Sequence, residues 1–179
     1  MTEIIGQAIG FIALILSCYR YFKKKKTDVM KFSILSYACY IVHYFLIGAL
    51  AGSYTLVIAI VRDYYIYLRE KHHKKHRHRK LYNNPLVFIA LFSTYAVLIY
   101  LNLSTVENIL PLAAGLTYLC FEWFSTNKTT LKFAGGLTTI PWIIYNILCF
   151  SIAGTITDSI QVIASFTSVT KDKRARRRK

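Results

Sequence analysis

Arg62 stands apart from the other basic residues of this 179-residue chain, which sit in clusters or at the ends of apolar segments. It lies seven residues before Arg69, about 10 Å along a helix that rises 1.5 Å per residue. A charge at that depth in an apolar segment costs at least about 2.5–3.5 kcal/mol, so it must face a partner or a cavity. Facing a cavity, it would bind an anionic or polar molecule. The local alternatives are a pair with Asp63 or snorkelling toward the cytoplasmic surface. Trp142 and Asn146 are one helical turn apart and share a face. An indole supplies a stacking surface, and an amide both donates and accepts. Sugar and nucleoside sites use that pairing, although tryptophan also anchors helices at membrane surfaces. His43 and Tyr44 occupy the stretch of an earlier segment that matches Tyr145 and Asn146. A membrane histidine relays protons, holds a substrate, or ties two helices together at about 0.6–2 kcal/mol. Pro111 and Pro141 interrupt the hydrogen-bond ladder of their segments, which suits a hinge or a cavity wall; close packing by small residues is the alternative. Asp158 and Gln161 are one turn apart near the end of the chain, where Asp158 is expected to cap a helix start after Gly154-Thr155-Ile156-Thr157.

The elements that must position these residues follow from composition. Hydrophobic residues make up 55%, aromatic residues 15% and charged residues 17%, with 23 Lys+Arg against 8 Asp+Glu and a net charge of +15. The mean hydropathy is +0.38. So apolar a chain is not disordered. The basic residues fall in a few clumps, which argues against a soluble nucleic-acid binder. A spanning helix needs about 20 apolar residues. Seven apolar segments are present, at about 4–22, 30–50, 54–69, 84–102, 106–123, 131–151 and 155–170. Each is read as a helix, because backbone polar groups cannot be left bare in hydrocarbon. The first segment lacks a basic leader and runs into Lys23–Lys26, so it is expected to be a retained span.

Basic residues fall between segments one and two, three and four, and five and six, and again in the tail at 171–179. The alternate connections around Gly52, Ser104 and Gly154 carry none. The positive-inside rule then places the N-terminus out and the C-terminus in, which requires an odd number of spans. Cys18, Cys39, Cys120 and Cys149 all lie in apolar stretches without C-x-x-C spacing and read as packing residues. His72, His73, His76 and His78 lie in a Lys/Arg run whose charge opposes a bound cation, so they read as a solvated loop.

The two halves resemble each other. Lys31-Phe32 matches Lys132-Phe133, Leu50-Ala51-Gly52-Ser53 matches Ile152-Ala153-Gly154-Thr155, and Thr55 and Ile58 match Thr157 and Ile160. The spacing is 101 to 102 residues. The expected fold is therefore all-α and polytopic, one transmembrane domain over residues 1–179. Its seven transmembrane helices form a 3+1+3 parallel repeat: repeat one at about 4–69, a connector at about 84–102, repeat two at about 106–170. A basic loop at 69–80 and the tail at 171–179 complete it. Repeats related by an axis along the membrane normal place a binding site near mid-membrane between them.

Ile5-Gly6-Gln7, Gly10, His43-Tyr44-Phe45-Leu46, Gly48, Arg62, Leu110-Pro111, Gly115, Trp142, Asn146 and Gly154-Thr155 follow one another in an order and spacing that resembles the YgjV family of small bacterial inner-membrane proteins. The resemblance covers about residues 3 to 165 and implies a multi-pass protein of the cell (inner) membrane. The long His-rich loop and the Lys23–Lys26 run depart from it. The 3+1+3 organisation is also distantly similar to the small transporters that include PQ-loop proteins and SWEETs. Their Pro-Gln pairs survive here only as Gln7 in one half and Pro111 in the other.

No phosphate-binding loop, metalloprotease motif or nucleophile elbow is present in the sequence, so no enzyme, cofactor or metal is implied. The expected function is a small transporter or facilitator for a polar metabolite, with Arg62, Asn146, Trp142, His43, Tyr44 and Gln7 as substrate-binding residues and Pro111 and Pro141 as kinks. The alternative is a non-transporting membrane protein that works through its basic cytoplasmic face. The partners implied are the bilayer, anionic lipid headgroups at the basic loops at about 1 kcal/mol per basic residue, the small polar substrate, and a second copy of the chain. Nucleic acid is not among them.

Overall fold

The computed structural model describes residues 2–20, 26–73, 84–103, 105–125 and 128–177. These fold into seven helices: α1 (Thr2–Arg20), α2 (Lys26–Leu46), α3 (Leu50–His73), α4 (Pro85–Leu101), α5 (Val106–Phe124), α6 (Lys128–Leu148) and α7 (Ile152–Arg177). No strand occurs among the described residues. Each apolar segment of the sequence corresponds to one helix. The basic stretch at 74–80, Lys23–Lys25 and the last two tail residues lie outside the described residues.

α3 and α7 start earlier than the hydrophobic pattern indicates. Gly52 and Gly154 look like loop residues in sequence, yet both lie inside helices. Close packing explains the first. A methyl group at Gly52 would stand 2.9 Å from the Tyr145 ring and 3.0 Å from the Tyr44 ring. Only glycine admits both aromatics there. At the other end α3 and α7 continue past their apolar windows into basic residues, which are good helix formers.

α1 packs on α2 and α7, α2 on α3, α3 on α5, α5 on α6, and α6 on α7. These contacts close a ring of six helices. α4 stands outside it against α5 and, more lightly, α3. The α2–α3 and α6–α7 turns lie at the same end of the ring as the start of α1, where a methyl at Gly6 would touch Ile47. That end is called the turn end. The opposite end, where Lys132 of α6 meets Asp172 of α7, is called the basic end.

The two turns share one backbone pattern. Ala49 N donates to Tyr44 O and Ser151 N to Asn146 O, both at 2.8 Å. Gly48 N donates to Phe45 O at 3.3 Å and Phe150 N to Ile147 O at 3.2 Å. Gly48 has φ 79° and Phe150 φ 54°. A left-handed residue closing both bonds is the Schellman ending of a helix. The three bonds from residues 47, 48 and 49 recur 102 residues later from 149, 150 and 151.

The polarity runs inside out relative to a water-soluble bundle. Ile4, Phe45, Leu86, Phe124 and Ile163 are among many large apolar side chains that face outward. Ser36, His43, Thr55, Arg62, Asn146 and Ser151 face inward and are buried. Hydrocarbon outside requires this arrangement, and the inward polar groups must then find partners among themselves. The same arrangement lowers the average hydropathy of each ring helix. Among the described residues, only Thr2–Tyr19, with mean hydropathy 1.6, is by itself long and apolar enough to cross a membrane, while Pro85–Leu101 is apolar but shorter.

Candidate functional site

The ring encloses a cavity of about 580 Å³. Its wall combines serine and threonine hydroxyls, five tyrosines, Trp142 and charged side chains from four helices. Arg62 is its centre. α3 carries it twelve residues beyond Leu50, about 18 Å down the helix, so it is well inside a hydrocarbon core roughly 30 Å thick. It is 5% exposed. Its Nε and Nη2 donate to Asp63 Oδ1 at 2.9 and 2.7 Å. Nε also lies 3.1 Å from Glu122 Oε2 on α5. The guanidinium carbon sits 4.7 Å above the centre of the Tyr118 ring, a cation–π contact. Arg62 therefore pairs with Asp63 and lines the cavity at once.

Glu122 ends the wall on the α5 side. It lies in the last turn of α5, where the helix dipole disfavours a carboxylate. The nearby guanidinium offsets that cost. At the basic end Lys132 Nζ bonds Asp172 Oδ2 at 2.7 Å, with the lysine side chain 40% exposed. The cavity thus extends to Lys132, whose side chain is partly exposed at this end.

The turn end is closed. Tyr44 Oη donates to Asn146 Oδ1 at 2.7 Å, and Asn146 Nδ2 donates to Asp158 Oδ2 at 2.8 Å. Tyr145 Oη donates to Ala49 O at 2.9 Å and accepts from Gly52 N at 2.8 Å. Tyr40 Oη and Thr157 Oγ1 are 2.5 Å apart. His43 Nδ1 lies 2.8 Å from Gly6 O, and its Nε2 lies 2.7 Å from Ser151 Oγ. A carbonyl only accepts, so Nδ1 bears the hydrogen in the neutral ring and Nε2 accepts from the Ser151 hydroxyl. His43, Tyr145, Asn146 and Ser151 are all fully buried.

The sequence-derived site residues divide between these two regions. Arg62, Tyr44 and Trp142 line the cavity. Asn146 and His43 lie behind the wall as parts of the turn-end network. Gln7 lies farther out, where its Nε2 donates to Phe150 O at 2.7 Å and satisfies a carbonyl at the left-handed turn. Pro141 and Pro111 sit inside continuous helices. Asp158 does not cap a helix: α7 begins at Ile152, so Asp158 lies within it and faces the cavity. Ser151 takes the capping position, with its Oγ accepting from Gly154 N at 3.2 Å. The cysteines are all unbridged and partly buried.

Tyr95, Tyr118 and Glu122 were not singled out from the sequence. Tyr95 comes from α4, outside the ring, and is fully buried. It enters through a gap at Gly115 of α5, where a methyl group would stand 2.7 Å from both its Cε1 and its Oη. Among the described residues its hydroxyl has no hydrogen-bond partner. Nothing in the sequence pairs a tyrosine of one segment with a glycine of the next. Glu122 left a weak trace: an acid in the last turn of an apolar helix needs a cation nearby.

A family model described as a bacterial inner membrane protein matches residues 4–176 of the chain. No curated protein and no solved structure matches it.

Proposed function

The chain belongs to the Imp-YgjV family of bacterial inner membrane proteins, and from that premise we propose that it is a small transporter or facilitator for a polar metabolite bound inside the helix ring. The observation that carries the reading is the cavity of about 580 Å³, charged and aromatic, within a bundle whose outer surface is apolar. A multi-pass membrane protein places such a volume at mid-depth at a cost in charge burial, which a ligand path accounts for.

The two-repeat reading has support in the packing. Exchanging α1–α3 with α5–α7 turns the α1–α7 contact into the α5–α3 contact. At the 102-residue offset it turns the His43–Ser151 bond into the Tyr145–Ala49 bond. The Tyr44–Asn146 bond joins a residue to its own equivalent and so lies on the exchange axis. α4 is then the connector. With the basic end cytoplasmic under the positive-inside rule, the closed turn end faces outward. As an alternating carrier the protein would open this seal and close the basic end in turn.

Ligand-dependent thermal stabilisation of the detergent-purified protein tests the function. The panel holds sugars, amino acids, nucleosides, amines and small carboxylates, with Trp142→Ala beside wild type. A ligand at 100 times its Kd stabilises by about 2.7 kcal/mol. The expected result is a hit in wild type that Trp142→Ala weakens. No hit across the panel sinks the transporter reading and redirects attention to the basic face.

A further inference from the structure

We infer that the cavity is built for a small organic cation, an ammonium or guanidinium compound held against Tyr40, Tyr44 and Trp142 beside Asp158. The inference rests on the proposed ligand cavity and names the class of ligand it takes.

Charge is the first ground. Three carboxylates line the cavity (Asp63, Glu122 and Asp158) against two cations, Arg62 and Lys132. Lys132 is bonded to a fourth carboxylate, Asp172, at the rim. Arg62 is bracketed by two carboxylates, Asp63 and Glu122. An anion near Arg62 is also near those two carboxylates. The wall therefore repels anions and attracts cations, and weak screening inside the membrane strengthens both effects.

The aromatic wall is the second ground. Tyr40 and Tyr44 are stacked with ring centres 5.9 Å apart, and Tyr44 and Trp142 lie 6.0 Å apart. All three line the cavity, as does Asp158. Aromatic faces beside a carboxylate form the usual receptor for an ammonium group. The protein already shows the same preference once, where the Arg62 guanidinium lies over Tyr118.

Tyr95 supplies the third ground. Tyr95 is among the residues that line the cavity, and its buried hydroxyl has no hydrogen-bond partner among the described residues. A buried hydroxyl left without a hydrogen bond is costly, and a polar group on the ligand would satisfy it.

The test compares charge at constant shape. Choline, tetramethylammonium and agmatine are titrated into the detergent-purified full chain, with dimethylbutanol (the neutral carbon isostere of choline), glucose and succinate as counterparts. Wild type is expected to bind at least one cation roughly tenfold more tightly than every counterpart. Asp158→Asn keeps an oxygen to accept from Asn146 and is expected to lose about tenfold in cation affinity. Tyr95→Phe is expected to lose severalfold for probes with a polar tail and nothing for tetramethylammonium. Equal binding of choline and dimethylbutanol, or tighter binding of succinate, overturns the cation assignment while leaving a ligand cavity intact. Binding of no probe of either kind overturns it as well, and the broad panel above then decides whether the cavity reading fails too. The comparison of probes on wild type stands even if a variant does not fold.

Discussion

Arg62 holds α3 to α5 through a buried charge cluster, and its worth is best judged by what its loss leaves behind. Removing one member of a buried ion pair is far more costly than never having had the pair, because the remaining charge is stranded. Arg62→Ala would strand Asp63 and Glu122 together on two packed helices. The expected loss is about 3–5 kcal/mol of stability. Glu122→Gln, which leaves the Arg62–Asp63 pair in place, should cost much less. Thermal unfolding in detergent with no ligand reads both. Equal stability of Arg62→Ala and wild type would mean that the cluster does not hold α3 to α5. At this scale the sequence was legible wherever a residue was out of character with its own neighbours. Arg62 is a charge in an apolar segment, and Trp142 with Asn146 shows a shared face. Glu122 and Tyr95 were illegible because their meaning depends on side chains far along the chain. His43, Asn146 and Gln7 were expected to bind substrate, but a sequence does not say whether the partner of a buried polar group is a ligand or another helix. The bonds to Ser151, Asp158 and Phe150 supply helix partners.

Helices were the most readable elements, since each of the seven apolar segments of the sequence corresponds to one helix. Their boundaries at the turns were less so. Gly52 and Gly154 resemble turn residues, and the positions that actually reverse the chain are Gly48 and Phe150. Glycine at Gly48 is the expected residue for a left-handed helix ending. Phenylalanine at the equivalent Phe150 is not, and its backbone is strained by about 1–2 kcal/mol. Phe150 is 82% exposed, so its ring contributes little internal packing. Phe150→Gly is therefore expected to raise stability by about 1 kcal/mol. Gly48→Ala should lower it by a similar amount, through backbone strain alone, because an added methyl there meets no atom within 4 Å. Unfolding midpoints for the two variants give opposite signs if the turns are equivalent. Matching signs would separate them. The shift of the α7 start to Ile152 also moved Asp158 from an expected cap to the cavity wall, so one misplaced boundary changed the apparent chemistry of a residue.

At the scale of the whole molecule, the seven helices of the described residues put the two termini at opposite ends, and the proposed orientation rests on the charge asymmetry between those ends. In that proposed orientation the basic connections and tail would be drawn to anionic lipid on the cytoplasmic side. In the proposed orientation the cavity has a direction: its basic end faces the cytoplasm, and its outer end is crossed by the bonds among Tyr44, Asn146, His43 and Ser151. Single cysteines make that direction measurable once the four native cysteines are replaced. Ser165 lines the cavity on α7, whereas Ser151 is buried in the seal. Ser165→Cys should react with a membrane-impermeant maleimide in inside-out vesicles and not in right-side-out ones. Ser151→Cys should react in neither. Saturating ligand should protect Ser165→Cys, because the ligand and the reagent compete for one volume. Reaction of Ser165→Cys from the outer side would invert the orientation, and with it the reading of the basic end as cytoplasmic. Reaction of Ser151→Cys from the outer side, with Ser165→Cys still labelled from within, would mean that the seal opens without ligand, and the protein would then behave as a channel-like facilitator rather than an alternating carrier.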